Sequence, residues 1–190
     1  MPNTTKSTGR TDAVTWAQQL LDKNIVILDF ETTGFKNSEI VQIGAINRDG
    51  DVLLETLVKP TKSIPSAATN VHGITNDDVK DAPGFREVYV QLSSLLAGSP
   101  VVAYNVSFEK MIIGGECDRY KLPQIRPSQW ECAMIAYAGY YGQRNPSKGG
   151  FKWQKLGNAC AQQNIPVVDA HTAVGDCIMT LELMKIMARG

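Results

Sequence analysis

Ile25-Val26-Ile27-Leu28-Asp29-Phe30-Glu31-Thr32-Thr33-Gly34 is an apolar run that ends in two carboxylates one residue apart, followed by small polar residues and a glycine. An apolar run without alternation suits a strand covered on both faces. Strand side chains alternate faces, so Asp29 and Glu31 project to the same side, roughly 7 Å apart along the backbone. Two anions on one face at the end of a buried strand repel each other and are costly to desolvate. A hard divalent cation with oxygen ligands removes both costs. Taken alone, the pattern also fits a strand that finishes in acidic residues facing solvent.

Around this strand the chain reads as strands first, then strand and helix in alternation. Residues 15–22 suit a short leading helix, with Trp16 and Leu20 four apart. Residues 39–47 and 52–58 read as two further strands joined at Arg48-Asp49-Gly50-Asp51, since Asp-Gly between apolar runs is a hairpin signal. Residues 59–72, rich in Pro, Ser and Thr, read as a surface connection, and Thr75-Asn76-Asp77-Asp78 as a helix start. Residues 85–96 form an amphipathic pattern, broken at Gly98-Ser99-Pro100 before a short buried strand at 101–104. Helices follow over 107–120, 132–141, 152–164 and 172–188, with a glycine-rich loop at 142–150. This order predicts an α/β fold, a mixed sheet flanked by helices.

At 190 residues one well-buried domain is expected, over 13–190, preceded by a polar flexible tail at 1–12. Lys plus Arg balances Asp plus Glu at 19 each, so the net charge makes no case for nucleic acid. The charge is uneven, however. Residues 110–155 hold eight basic side chains against three acidic ones. An acidic part that holds metal and a basic part that holds phosphate backbone suit a nuclease, although a solvated basic helix face gives the same count. Cys117, Cys132, Cys160 and Cys177 form no Cys-x-x-Cys pair, which argues against zinc and for reduced thiols in a cytoplasmic protein. No apolar run approaches the roughly 18 residues that cross a bilayer, so no membrane is expected.

Three later segments supply partners for the carboxylate pair. In Tyr104-Asn105-Val106-Ser107-Phe108-Glu109 a buried strand passes into a helix, with Asn105 or Ser107 suited to capping and Glu109 near a strand end. The same residues fit an ordinary capped helix with an acid in its first turn. In His171-Thr172-Ala173-Val174-Gly175-Asp176 a fourth carboxylate follows a histidine by five residues. On one continuous helix that spacing separates the two by about 140°, so His171 is expected at or before the helix start, above a site into which Asp176 points. An imidazole there suits a general base. The third segment, Asn70-Val71-His72-Gly73-Ile74-Thr75, reads alone as a turn.

Asp-x-Glu-Thr-Thr-Gly, His-Gly-Ile-Thr, Asn-x-x-Phe-acid and His-x-x-x-x-Asp, in that order, resemble the motifs of the DEDDh 3′→5′ exonucleases. This group includes the proofreading epsilon subunit of bacterial DNA polymerase III and stand-alone relatives. The resemblance covers about residues 25–185. It implies a ribonuclease H-like fold with a central mixed five-stranded sheet, and Asp29, Glu31, Glu109 and Asp176 as ligands of two Mg²⁺ or Mn²⁺ ions about 4 Å apart. It implies His171 as the base that activates water, with release of nucleoside 5′-monophosphates. It further implies that Thr32, Thr33, Gly34 and Phe35, with His72, Asn105 and Phe108, shape the pocket for the 3′-nucleotide. The implied partner is nucleic acid with a 3′ end, single-stranded DNA favoured and RNA allowed, and a polymerase or other protein partner is compatible with it.

There are two departures, the first at an implied metal ligand and the second neutral. The second motif ends in Glu109 where the family usually has Asp; the extra methylene shifts the carboxylate by roughly 1.5 Å, and displacements of about 1 Å can cost 10²-fold in rate. Tyr104 stands where a His is common. Two other readings therefore accompany the active exonuclease: a nucleic-acid-binding or polymerase-associated module with weakened or lost catalysis, and an oligoribonuclease-like enzyme. Arg144, Lys148, Lys152 and Lys155, around the glycine-rich loop, are the candidate strand contacts. Of the aromatic residues among them, Trp130, Tyr137, Tyr140, Tyr141 and Trp153, most are expected in the core.

Overall fold

A computed structural model describes residues 9–167 and 170–190. In chain order its elements are α1 (Arg10–Leu21), β1 (Val26–Thr32), β2 (Ile40–Asn47), β3 (Val52–Leu57), α2 (Ser66–His72), α3 (Asn76–Val79), α4 (Phe85–Leu96), β4 (Pro100–Ala103), α5 (Val106–Tyr120), β5 (Gln129–Cys132), α6 (Ala133–Tyr141), α7 (Leu156–Gln162) and α8 (Ala173–Arg189). The five strands form one sheet in the order β3-β2-β1-β4-β5. β1 pairs antiparallel with β2 and parallel with β4, and β4 pairs parallel with β5. The sheet is thus mixed, with β1 at its centre.

β1 is covered on both faces, as its unbroken apolar run requires. Val26, Leu28 and Phe30 pack with α4 and α5 through Phe85, Leu92, Ile112 and Ile113. Ile27 lies on the opposite face, among residues of α1, α6, α7 and α8 that include Ala17, Tyr137, Cys160 and Leu183. Period-two alternation then assigns Asp29 and Glu31 to the α8 face, continuing the row begun by Ile27.

Several boundaries depart from the expectations, each through a tertiary contact. The leading helix starts at Arg10 rather than 15, so part of the expected tail is helical. The Arg10 guanidinium lies 3.8 Å from the Tyr140 ring centroid and donates to the Tyr140 carbonyl at 3.3 Å, which recruits that first turn. The rest of the tail, residues 1–8, lies outside the described residues. The 59–72 connection ends in α2, and the expected helix at 152–164 is confined to α7 because residues 152–155 are not helical and Lys155, the N-cap, has extended backbone angles. β5 escapes sequence reading because it is four residues long and half-buried, a strand defined by its pairing to β4. No helix among the described residues is long and apolar enough to cross a membrane.

Candidate active site

The parallel register of β1 and β4 brings their C-terminal ends to the same edge of the sheet, and the predicted acids gather there. Asp29, Glu31 and Asp176 each offer an oxygen within 4.8 Å of the others. Glu109, in the first turn of α5, stands just outside this trio but close enough to repel Asp29, and it is repelled by Glu31 and Asp176. It is only 3% exposed, and its Oε2 has no hydrogen-bond partner among the described residues.

Two residues absent from the sequence reading seat Asp176. In the β1–β2 register Gly44 is opposite Asp29, and Gln42 is opposite Glu31. A Cβ at Gly44 would lie 2.4 Å from the Ala173 carbonyl carbon and 2.5 Å from the Val174 nitrogen. Only glycine lets the first turn of α8 press onto β2 there. Gln42 Oε1 then accepts the Ala173 N–H at 3.0 Å, satisfying a donor that the helix cannot satisfy itself. The Thr172 hydroxyl caps the same turn by accepting from the Gly175 N–H at 3.1 Å. A glycine inside a strand is a sequence signal for a close approach, so Gly44 was open to discovery; the role of Gln42 was not.

His171 precedes the helix, as its spacing to Asp176 predicts, and its backbone takes the rare left-handed φ of 65°. Its N–H donates to Asp176 Oδ1 at 3.2 Å. The imidazole is exposed and lies near enough to Asp176 and His72 to act on both charges. His72, buried at the end of α2, accepts the Ile74 N–H on Nδ1 at 3.0 Å, while its Nε2, buried too, has no partner within hydrogen-bond distance among the described residues. The proton is thereby assigned to Nε2. Burial holds its pKa below the ordinary imidazole value, opposed by the Thr32 backbone and reinforced by His171.

The turn after β1 is closed by its own polar groups. The Thr32 hydroxyl donates to the Gly34 carbonyl at 2.7 Å, and the Thr33 hydroxyl accepts the Glu39 N–H at 3.0 Å. Gly34 has φ 146°, a conformation that favours glycine. Glu39 is buried and accepts from the Thr61 N–H and hydroxyl at 2.6 and 2.9 Å, and Glu116 accepts the Ile40 N–H at 3.0 Å while pairing with Arg119 at 2.9 Å. These bonds pin the turn while leaving Phe35 86% exposed, its ring edge-on to Phe108 with centroids 6.1 Å apart. Asn105 occupies the N-cap of α5 without a side-chain capping bond, and its side chain is exposed. Arg144, Lys148, Lys152 and Lys155 are also exposed, but on the 142–155 segment rather than among the acids. Of the aromatics there, Tyr137 and Tyr140 are core as expected; Trp153, at 64% exposure, is not.

The electrostatics of the acids point one way. Burial, then Glu109, Asp176 and Glu31, push the Asp29 carboxyl well above its ordinary range. Burial and then Asp176 push Glu31 up to about 8. Glu109 is raised well above the ordinary value by burial and by Glu31 and Asp176, against which the Phe30 amide favours its charged form. Asp176 is raised by burial, with the His171 N–H and charge opposing. Four carboxyls in this state stay ionised together only with a compensating positive charge. The all-oxygen donor set and the orphaned Glu109 oxygen fit a hard divalent cation such as Mg²⁺ or Mn²⁺.

The family model described as exonuclease, RNase_T, matches residues 26–184. An uncharacterized exonuclease of Escherichia phage 186 is 36% identical over 181 residues, covering 92% of this chain and 93% of that protein. A DNA polymerase III subunit epsilon-like protein of Rhodobacter capsulatus is 32% identical over 203 residues; it covers 96% of this chain, which spans only 27% of that protein. Among solved structures, Exonuclease X in complex with 5′ overhanging duplex DNA superposes with a TM-score of 0.61 at 26% identity, over 87% of this chain and 91% of that one.

Proposed function

The chain belongs to the RNase_T exonuclease family and has its ribonuclease H-like sheet, and from that premise we propose that it is a DEDDh-type 3′→5′ exonuclease releasing nucleoside 5′-monophosphates. The observation that carries the proposal is the convergence of Asp29, Glu31 and Asp176 within 4.8 Å, with the unpartnered Glu109 oxygen beside them and His171 at the rim. These four acids would hold two divalent cations, Mg²⁺ or Mn²⁺, which when bound supply an activated water and charge stabilisation at the leaving oxygen.

The chain's own groups do the remainder. His171 accepts the proton of the attacking water on its imidazole. Its backbone N–H, bonded to Asp176, ties the position of the base to that of a ligand. The Thr32-Thr33-Gly34 turn presents backbone groups to the terminal sugar, and Phe35 offers a ring face to its base, supported edge-on by Phe108. The exposed Asn105 amide supplies a donor to the same nucleotide, and His72, buried at the end of α2 against the Thr32 backbone, shapes the pocket from behind. DNA is the favoured substrate because the similar Exonuclease X is seen with duplex DNA bearing a 5′ overhang; the proposed form is a single-stranded 3′ end, with RNA a secondary substrate.

A single strand labelled at its 3′ end, incubated with Mn²⁺, is expected to release labelled nucleoside 5′-monophosphate at once; the same strand labelled at its 5′ end shortens in a ladder. Asp29→Asn abolishes both signals. Failure of the wild-type protein to release a metal-dependent mononucleotide from the 3′ end overturns the proposal.

A further inference from the structure

Residues 143–155 carry four basic side chains and no acidic one. Among the described residues none of Arg144, Lys148, Lys152 and Lys155 enters an ion pair, although the Arg144 guanidinium lies over the Phe151 ring at 4.8 Å. The segment is built rather than slack. Asn145 Oδ1 accepts the N–H groups of Ser147 and Lys148, both at 3.2 Å, and the Asn145 N–H donates to the Gly150 carbonyl at 3.0 Å. The Lys152 N–H donates to the Gln143 carbonyl at 2.8 Å. Gln154 is buried, its amide on Gln143 Oε1 at 2.9 Å and its carbonyl accepting the Tyr104 hydroxyl at 2.9 Å. Both chain neighbours of Trp153 are therefore fixed.

Trp153 itself faces out. The other two tryptophans are half-buried, and Trp16 spends its N–H on Glu131. Nothing in the fold requires an indole at position 153, and the backbone that holds it open is anchored to Tyr104. Tyr104 is two residues before the start of α5, the helix that carries Phe108 and Glu109, so the loop is tied to the edge of the sheet where the acids gather.

We propose that Trp153, flanked by Lys152, Lys155 and Lys148, is a stacking platform for a base of single-stranded nucleic acid upstream of the terminal nucleotide. The inference rests on the nuclease reading and adds to it a second subsite. Charge complementarity selects the ligand: a flat aromatic face among unpaired lysines matches a phosphate backbone with stackable bases, and alanine substitution at such a platform costs about 1–3 kcal/mol per base. An acidic polypeptide would satisfy the lysines and leave the indole unused.

Trp153 is the most exposed of the three tryptophans, so its fluorescence reports directly. In EDTA, where no catalysis occurs, an oligo-dT strand of about 12 nucleotides is expected to quench the protein, and thymidine 5′-monophosphate to quench it far less. Trp153→Ala should remove most of the quench and weaken binding about 10-fold, with Trp153→Phe keeping most of the affinity and both variants melting with the wild type. With Mn²⁺, the preference of Trp153→Ala for the long strand over a dinucleotide should shrink by a similar factor. Wild-type binding without quench, wild-type affinity in Trp153→Ala, or equal losses on long and short substrates would each overturn the platform. Quenching by the strand without mononucleotide release at its 3′ end would instead sink the exonuclease reading and leave the platform standing.

Discussion

Replacing Gly44 with alanine tests whether the close approach of α8 to β2 is what places Asp176. The new methyl carbon would stand 2.4 Å from the Ala173 carbonyl carbon, 2.5 Å from the Val174 nitrogen and 2.7 Å from the Ala173 oxygen. All three are backbone atoms of one helical turn, so no rotamer change relieves the clash. Ordinary contact needs the turn to retreat by about 1 Å, and overpacking of this kind costs roughly 1–3 kcal/mol. For a chain of this size that lowers Tm by about 2–12 °C. The Gln42–Ala173 hydrogen bond lengthens with the retreat, and Asp176, one turn further on, moves with it. A misplacement of about 1 Å is worth up to 10²-fold in rate. Gly115 provides the contrast: it is exposed within α5, has no atom within 4 Å of a built Cβ, and its alanine variant gains up to about 1 kcal/mol of helix propensity. Thermal melts in EDTA and in Mn²⁺, with single-turnover hydrolysis, separate the two effects. If Gly44→Ala melts with the wild type and keeps its metal-dependent rate, the close approach does not seat the ligand.

Two further outcomes follow from the acid cluster. The Glu31 pKa is raised to about 8 in the folded protein from an ordinary 4.5, so between those values the folded state holds a proton that the unfolded chain has lost. The stability this contributes is full below the unfolded value and declines as pH rises through the folded one; melts in EDTA should therefore fall between about pH 5 and pH 8, Glu31→Gln should flatten the slope, and Mn²⁺ should stabilise most at the alkaline end. A flat EDTA profile would contradict the electrostatic account. For Glu109, the Gln variant should raise the Tm of the metal-free protein by removing a buried acid whose ionised form burial, Glu31 and Asp176 disfavour, while cutting the single-turnover rate by about 10–100-fold. Glu109→Asp should keep metal-dependent turnover, and full activity in Glu109→Gln would show that Glu109 binds no metal.

Much of the fold was legible because burial leaves a periodic record in the chain. The β1 run, the Asp-Gly hairpin and the amphipathic α4 stripe are local patterns, and the sheet and the helix packed on it realise each of them. Parts held by distant partners left no such record. The first turn of α1 depends on Tyr140, 130 residues away, and β5 exists through its ladder with β4. Which of the aromatics around the glycine-rich loop are core and which, like Trp153, face out was not legible, because composition cannot tell an indole packed inward from one held out by bonds to its neighbours.

At the site, the residue types and their order were determined by sequence alone: paired acids on one strand face, a third at a helix start, and a histidine five residues before a fourth. Their grouping follows from period two in β1 and from the cap of α8, both local rules. Tertiary structure decided the distances, because these depend on how closely separate elements approach. Gly44 lets α8 touch β2, Gln42 bonds its first turn, and burial of the resulting acids, more than their mutual repulsion, raises their pKa values. Sequence reading named both the repulsion between Asp29 and Glu31 and the cost of desolvating them without ranking the two; in the folded protein desolvation by the surrounding core is the larger effect, and it is what makes the site demand a cation.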